Sequence, residues 1–236
     1  MTDGGRDAQA PRPHSPMQYH LPPYVSFGFL GKRAVALDLR ADRYFLVAAA
    51  ETAALRTAET GGGGVVDDVA LNALVRRRLL GSGAGAPIVP VAAVPLKRAA
   101  LEGDASGGRV PLVEAAYFRA SACLHLRLLG LRGALGRWQA LRQRYARSAR
   151  KSGAADDAIR VAQGFADARV LLPAKRLCVP DSLALVRSLW RRGIEADLYF
   201  GVQLAPFMAH AWVQRGDILL SDTLNTVGEY TPVFRL

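Results

Sequence analysis

In the stretch RLCVPDSLALVRSLWRRGIEADLYFGV, two residues set the limits of a helix and the start of a strand. Pro180 lacks a backbone N–H and fits a helix only in its first turn, so the helix begins close to Cys178. Leu183, Val186 and Trp190, with Leu185 and Leu189, recur at helical spacing, and Gly193 after Arg191-Arg192 ends the run. Ala196 to Val202 then reads as a strand. This placement bears on Cys178 chemically. A thiol in a first turn feels the positive end of the helix dipole, which favours thiolate. Helical spacing puts position 178 on the face of Ser182, Leu185 and Leu189, so the sulfur points toward whatever the helix packs on.

The next segment, PFMAHAWVQRGDILLSD, alternates as two strands joined at Arg215-Gly216-Asp217. Met208, His210, Trp212 and Gln214 share one face of the first strand; Ile218, Leu220 and Asp222 share one face of the second. A three-residue loop sets His210 opposite Asp222, with Cβ atoms about 5 Å apart. A two-residue loop sets His210 opposite Thr223 instead. Chemistry favours the first register. In thiol acyl transfer an imidazole takes the thiol proton and returns it to the leaving amine, while a carboxylate holds the imidazole from behind. Cysteine at a helix start, then histidine on a strand, then aspartate on the next strand is the order of papain-like and transglutaminase-like folds.

Together these strings resemble one family. Cys178-Val-Pro-Asp-Ser182-Leu183, Gly201-Val202, Pro206-Phe207, Ala209-His210-Ala211-Trp212-Val213, Asp222 and Tyr230-Thr231-Pro232 look like the lasso-peptide B protein, a leader peptidase with a transglutaminase-like cysteine protease domain. The resemblance covers about 160–236. It implies an α+β fold and a triad of Cys178 as nucleophile, His210 as acid and base, and Asp222 as orienter. It also implies a precursor peptide as substrate, and as partner an asparagine-synthetase-like cyclase that uses ATP to close the lasso ring. No cofactor or metal is expected on this chain itself, which lacks a G-x-x-x-x-G-K-[ST] loop. Gln214 departs from the pattern where an acidic residue is expected, outside the triad.

The N-terminal half follows a different plan. Val25, Phe27 and Phe29, then Val35, Leu37 and Leu39, fall on odd positions around Gly31-Lys32, which predicts a hairpin with one apolar face. Tyr44 to Val47 reads as a third strand and residues 48–60 as a helix broken by Gly61–Gly64. Asp67 and Asp68 open a second helix, with Gly81 past its end. Leu21-Pro22, the hairpin, Leu37-Asp38 and Tyr44-Phe45-Leu46 resemble the leader-recognition element of peptide-modifying pathways, a winged-helix-like module of three strands and three helices. That likeness implies that a leader adds as a strand beside Tyr44, Phe45, Leu46 and Val47, against a helix face carrying Leu71, Leu74, Val75 and Arg78.

The expected organisation is a disordered tail at 1–19, the recognition module at 20–85, a Gly/Ser/Pro linker at 86–104 and the peptidase domain at 105–236. From Pro111 to about Gln143 a helical pattern is interrupted by Gly130, Gly133 and Gly136, and Ser152-Gly153 marks a break. Cys123 and His125 within that pattern read as core. Arg76 to Arg78 and the basic run from Arg137 to Lys151 read as solvated helix surface. A formal charge of +11 raises a nucleic-acid-binding winged helix as an alternative. A non-catalytic leader-binding escort and a transglutaminase-type acyltransferase are the others. Two cysteines make no disulfide framework and no zinc-type CxxC pair, and the first residues lack a signal-peptide core. The expectation is a cytoplasmic chain with no membrane and no nucleic-acid partner.

Overall fold

The computed structural model describes residues 18–59, 67–103, 108, 110–148 and 155–236. The expected tail up to residue 17, the break at Gly61–Gly64 and the break at Ser152-Gly153 lie outside them.

The chain enters through β1 (Tyr19–His20) and builds a three-stranded antiparallel sheet from β2 (Val25–Leu30), β3 (Arg33–Asp38) and β4 (Arg43–Val47), with β3 in the centre. Helices α1 (Ala49–Glu59) and α2 (Asp68–Arg76) follow, then β5 (Gly81–Ser82), which pairs with β1. Asp67 caps α2 as its sequence suggests, accepting from the Ala70 N–H. The helix stops before Gly81, because Arg78 takes the left-handed conformation (φ 60°) and Leu79 N–H turns back to the Leu74 carbonyl. Two helices, not three, stand among the described residues of this half, so the structure does not establish a winged helix here.

The hairpin corrects one expectation. Its loop has two residues, Gly31-Lys32, so Leu30 pairs with Arg33 and every odd position on β2 meets an even one on β3. Val25, Phe27 and Phe29 therefore share a face with Ala34 and Ala36, while Val35 and Leu37 point the other way. Both faces are covered. The first packs on Leu55, Leu71 and Leu74 of the helices; the second sinks into the core of the C-terminal half beside Leu183, Phe200 and Val233. The sheet is thus shared between the two halves instead of turning one side to water. Gly28 permits this, since a Cβ there would sit 2.1 Å from the Pro232 carbonyl oxygen.

The expected linker is fastened down. Val91 N–H bonds the Phe27 carbonyl, β6 (Arg98–Ala99) joins the C-terminal sheet, and a 3-10 turn spans Ala100–Glu102. Helix α3 (Leu112–Ser148) is two helices joined at a kink where Gly130 leaves helical geometry (φ 64°); neither Gly133 nor Gly136 breaks it. Helix α4 (Ala155–Val170) precedes α5 (Cys178–Arg191), the helix bracketed by Pro180 and Gly193 in the sequence. The strands β7 (Asp197–Leu204), β8 (Phe207–Arg215) and β9 (Ile218–Leu219), the short α6 (Leu224–Val227) and β10 (Thr231–Arg235) complete the fold. Sheet order is β10-β7-β8-β9-β6, antiparallel except for the β6–β9 edge. The result is a mixed α/β chain in which α5 lies between α3 and the sheet. Fully buried Trp138 ties α3 to α5 by donating from Nε1 to the Leu183 carbonyl at 2.7 Å. Among the described residues no helix is long and apolar enough to cross a membrane.

Candidate active site

Cys178 is the first residue of α5, and Leu177 before it is extended. No side chain caps Leu177 in the usual way, yet the helix start is held firmly. Asp181 Oδ2 accepts the Leu177 N–H at 3.0 Å, while its Oδ1 takes Arg119 Nε at 2.8 Å and Arg169 Nε at 2.9 Å. Arg169 is nearly fully buried and also donates to the carbonyls of Ala174 and Lys175, the loop leading into α5. A carboxylate between two guanidiniums in a partly buried place is a strong constraint, since removing one partner of such a pair typically costs about 3–5 kcal/mol. The network fixes the turn that carries the thiol. Ser182, one turn on, donates from Oγ to the Ala211 carbonyl at 3.0 Å and clamps α5 onto β8.

That clamp brings the thiol to His210. His210 and the backbone N–H groups of Ala211 and Val179 stand around the Cys178 sulfur so as to favour its charged form. Burial alone pushes the thiol up, but these groups and the imidazolium charge outweigh it, and the Cys178 pKa falls below its ordinary value. His210 Nε2 lies 3.1 Å from Asp222 Oδ1, which leaves Nδ1 for the thiol. Burial depresses His210; the bonds to Asp222 and to Cys178 reverse this and raise it to about 9. The two shifts point the same way, toward a thiolate–imidazolium pair at neutral pH. Tyr230 packs on one side of the imidazole, ring centres 5.4 Å apart, and Trp212 stacks further along β8.

The three expected site residues meet, but by another route than the ladder register. The β8–β9 loop has two residues, Gly216-Asp217, so Gln214 pairs with Leu219 and Arg215 with Ile218. The expected three-residue loop, and with it the direct His210–Asp222 pairing, is not what forms. Gly216 takes positive φ (56°), the conformation a tight two-residue hairpin needs. Strand β9 then stops at Leu219, and the chain bends so that Asp222 swings back under His210. Ser221 makes the bend. Its Oγ accepts the Val213 N–H at 2.9 Å and donates to Asp222 Oδ2 at 2.6 Å. Sequence reading passed over Ser221, and its only signal was adjacency to Asp222. We expect Ser221→Ala to lower turnover about tenfold and stability by about 1–3 kcal/mol, because Asp222 keeps its charge but loses one of its two anchors and the Val213 N–H loses its acceptor. Steady-state kinetics against thermal melting would check this.

Beside Cys178, His210 and Asp222 a cavity of about 320 Å³ opens. Leu101, Ala162, Phe165, Leu185 and Leu220 give it apolar walls, and Arg176 lines it from the loop before the thiol. Among the described residues no group of three or more His, Cys, Asp or Glu side chains is disposed to hold a metal ion.

The residues expected to bind a leader separate into two sets. Val47, Leu71 and Leu74 are buried in the N-terminal core and present no side chain to a ligand. Phe45 and Val75 pack at the edge of that core, and Arg78 is exposed at the end of α2. Tyr44 and Leu46 lie on the other face, paired with Leu37 and Val35. Leu46 is half-exposed, whereas Tyr44 packs into the C-terminal core with its ring edge-on to Phe207, centroids 5.9 Å apart. Strand β4 is one of the sheet's two outer strands, and among the described residues no strand pairs with its free edge.

Comparison with known proteins agrees with this geometry at the level of the domain. The family model for the Transglutaminase-like superfamily matches residues 122–235, so the chain carries a transglutaminase-like domain in its C-terminal half. The matched span contains Cys178, His210 and Asp222 and runs from within α3 through β10. No curated protein and no solved structure matches the chain. A transglutaminase-like domain is compatible with a cysteine peptidase or with an acyltransferase.

Proposed function

We propose that this protein is a cysteine endopeptidase that binds and removes the leader peptide of a lasso-peptide precursor. The observation that carries the peptidase part is the arrangement of Cys178, His210 and Asp222, with the thiol held low and the imidazole held high. The lasso part rests on the likeness of the Cys178 and Ala209–Val213 strings to lasso-peptide B proteins, and on a free strand edge at β4 where an extended leader can add.

In this reading the Cys178 thiolate attacks the carbonyl carbon of the last leader residue. The oxyanion is held by the Cys178 backbone N–H, which sits in a first turn where helix amides have no intrahelical partner. His210 gives its proton to the amide nitrogen, the C–N bond breaks, and the core peptide leaves with a free amine. Water, deprotonated by His210, then hydrolyses the thioester and releases the leader as a carboxylate. Asp222 keeps the imidazole oriented throughout. The freed amine is the group that the partner asparagine-synthetase-like cyclase, using ATP, would join to a side-chain carboxyl. No cofactor on this chain takes part in these steps.

The test is mass spectrometry of a candidate precursor incubated with this protein, cyclase and ATP. A leader fragment carrying a free carboxylate supports hydrolysis. An escort leaves the precursor intact, and a transglutaminase-type enzyme yields leader joined to an amine; either outcome overturns the proposal.

A further inference from the structure

Tyr44 of the N-terminal sheet reaches across to the C-terminal half and lies close enough to Cys178 for the two to interact electrostatically. It belongs to β4, pairs with Leu37 and therefore faces the C-terminal half. It packs against the same core cluster as Cys178 and touches Phe207, at the start of the strand that carries His210. The ring is half-buried, and its hydroxyl hydrogen-bonds nothing among the described residues. A packed phenol with an unused donor, near enough to Cys178 to feel its charge, is a hydrogen-bond donor awaiting an acceptor.

We propose that the N-terminal module completes the active site in cis, with the Tyr44 hydroxyl donating a hydrogen bond to the substrate carbonyl at the scissile bond. This rests on the peptidase reading above and extends it, because it makes the recognition module a contributor to chemistry and not only a dock. The module is placed for the role. Its sheet is locked to the C-terminal half through Val35, Leu37 and the close approach of Gly28 to Pro232, so Tyr44 is held in position before substrate arrives. Its electrostatic setting agrees. Burial, then Asp42 and then the Cys178 charge push the Tyr44 pKa up to about 12, which keeps the phenol protonated and able to donate across the working range. The route from recognition to cleavage is also short, since a leader added along β4 already runs beside Tyr44.

The experiment compares wild type with Tyr44→Phe and Tyr44→Leu on three readouts: cleavage kinetics, leader binding by fluorescence anisotropy, and alkylation of Cys178 by iodoacetamide. Phe keeps the ring and its Phe207 contact and removes only the donor. We expect Tyr44→Phe to lower kcat about 10²-fold, the scale of losing one donor at a developing oxyanion. KM, leader affinity and Cys178 alkylation should stay within about twofold. A packing role predicts instead that Phe is silent and Leu is damaging, and that result overturns the inference while the peptidase reading stands. A wild-type protein that alkylates readily but cleaves nothing overturns the reading itself, and the inference with it.

Discussion

Cys178→Ala should abolish cleavage, lowering the rate at least about 10⁴-fold, while the protein still folds and still binds leader. The size follows from the role, since removing the nucleophile of a catalytic triad costs nearly as much as removing all of it. Retained binding follows from the architecture, because the edge of β4, unpaired among the described residues, is built without Cys178. The fold should tolerate the change, as the sulfur is only partly buried and helix α5 is pinned by Asp181 and Ser182 instead. Cys178→Ser should lose nearly as much activity, because a hydroxyl so weakly acidic is not ionised by the same imidazole. Cleavage followed by chromatography, with anisotropy on labelled leader, reads both halves. An alanine variant that matures precursor normally would mark the protein as an escort.

Asp222→Ala should cost about 10³-fold in kcat, and Asp222→Asn less, about 10–10²-fold. The carboxylate does two things here. It holds Nε2 at 3.1 Å, which fixes the ring with Nδ1 toward the thiol, and it supplies much of the push that raises His210 to about 9. Asparagine can keep the first through its carbonyl oxygen but loses the charge; alanine loses both and leaves the Ser221 hydroxyl without its acceptor. The sign of the pH effect follows. A raised His210 pKa means that the imidazolium needed to protonate the leaving amine persists until pH climbs through about 9. With Asp222 gone, burial acts with less opposition and the pKa drops, so the alkaline limb of the rate profile should move to lower pH. The ordering Ala, then Asn, then Ser221→Ala, from most to least damaging, separates a charged orienter from a residue that merely fills space.

What could be read from the chain alone was whatever local chemistry enforces. Pro180 and Gly193 bracket α5 because one lacks an N–H and the other takes positive φ (72°), and both facts are written in the residue type. The meeting of Cys178, His210 and Asp222 was legible from their order on helix, strand and strand. The path of Asp222 was not, because a one-residue change in loop length flips a ladder register, and only the Ser221 bond to Val213 N–H restores the contact. The two-faced hairpin was missed for the same reason. Odd-numbered residues on both strands suggest one apolar face, but pairing Leu30 with Arg33 sends Val35 and Leu37 away from Phe27. Long-range placements carried no local signal at all. Nothing near Tyr44 announces Phe207, and nothing near Arg119 announces Asp181. Tyr44 could be marked for leader binding by likeness, but its packing on Phe207 and the C-terminal core needed the packed structure.

The most direct test is the pH dependence of Cys178 alkylation by iodoacetamide, followed by peptide-resolved mass spectrometry so that Cys123 does not contribute. The sulfur, favoured as thiolate by His210 and two backbone amides, should react with its inflection below the roughly 8.5 of a free cysteine. His210→Ala should push that inflection up, to or past the free value, since burial then acts against the charge with less opposition. A wild-type inflection at or above the free-cysteine value, unmoved by loss of His210, would mean that sulfur and imidazole do not share a proton, and no thiol peptidase could be built on them.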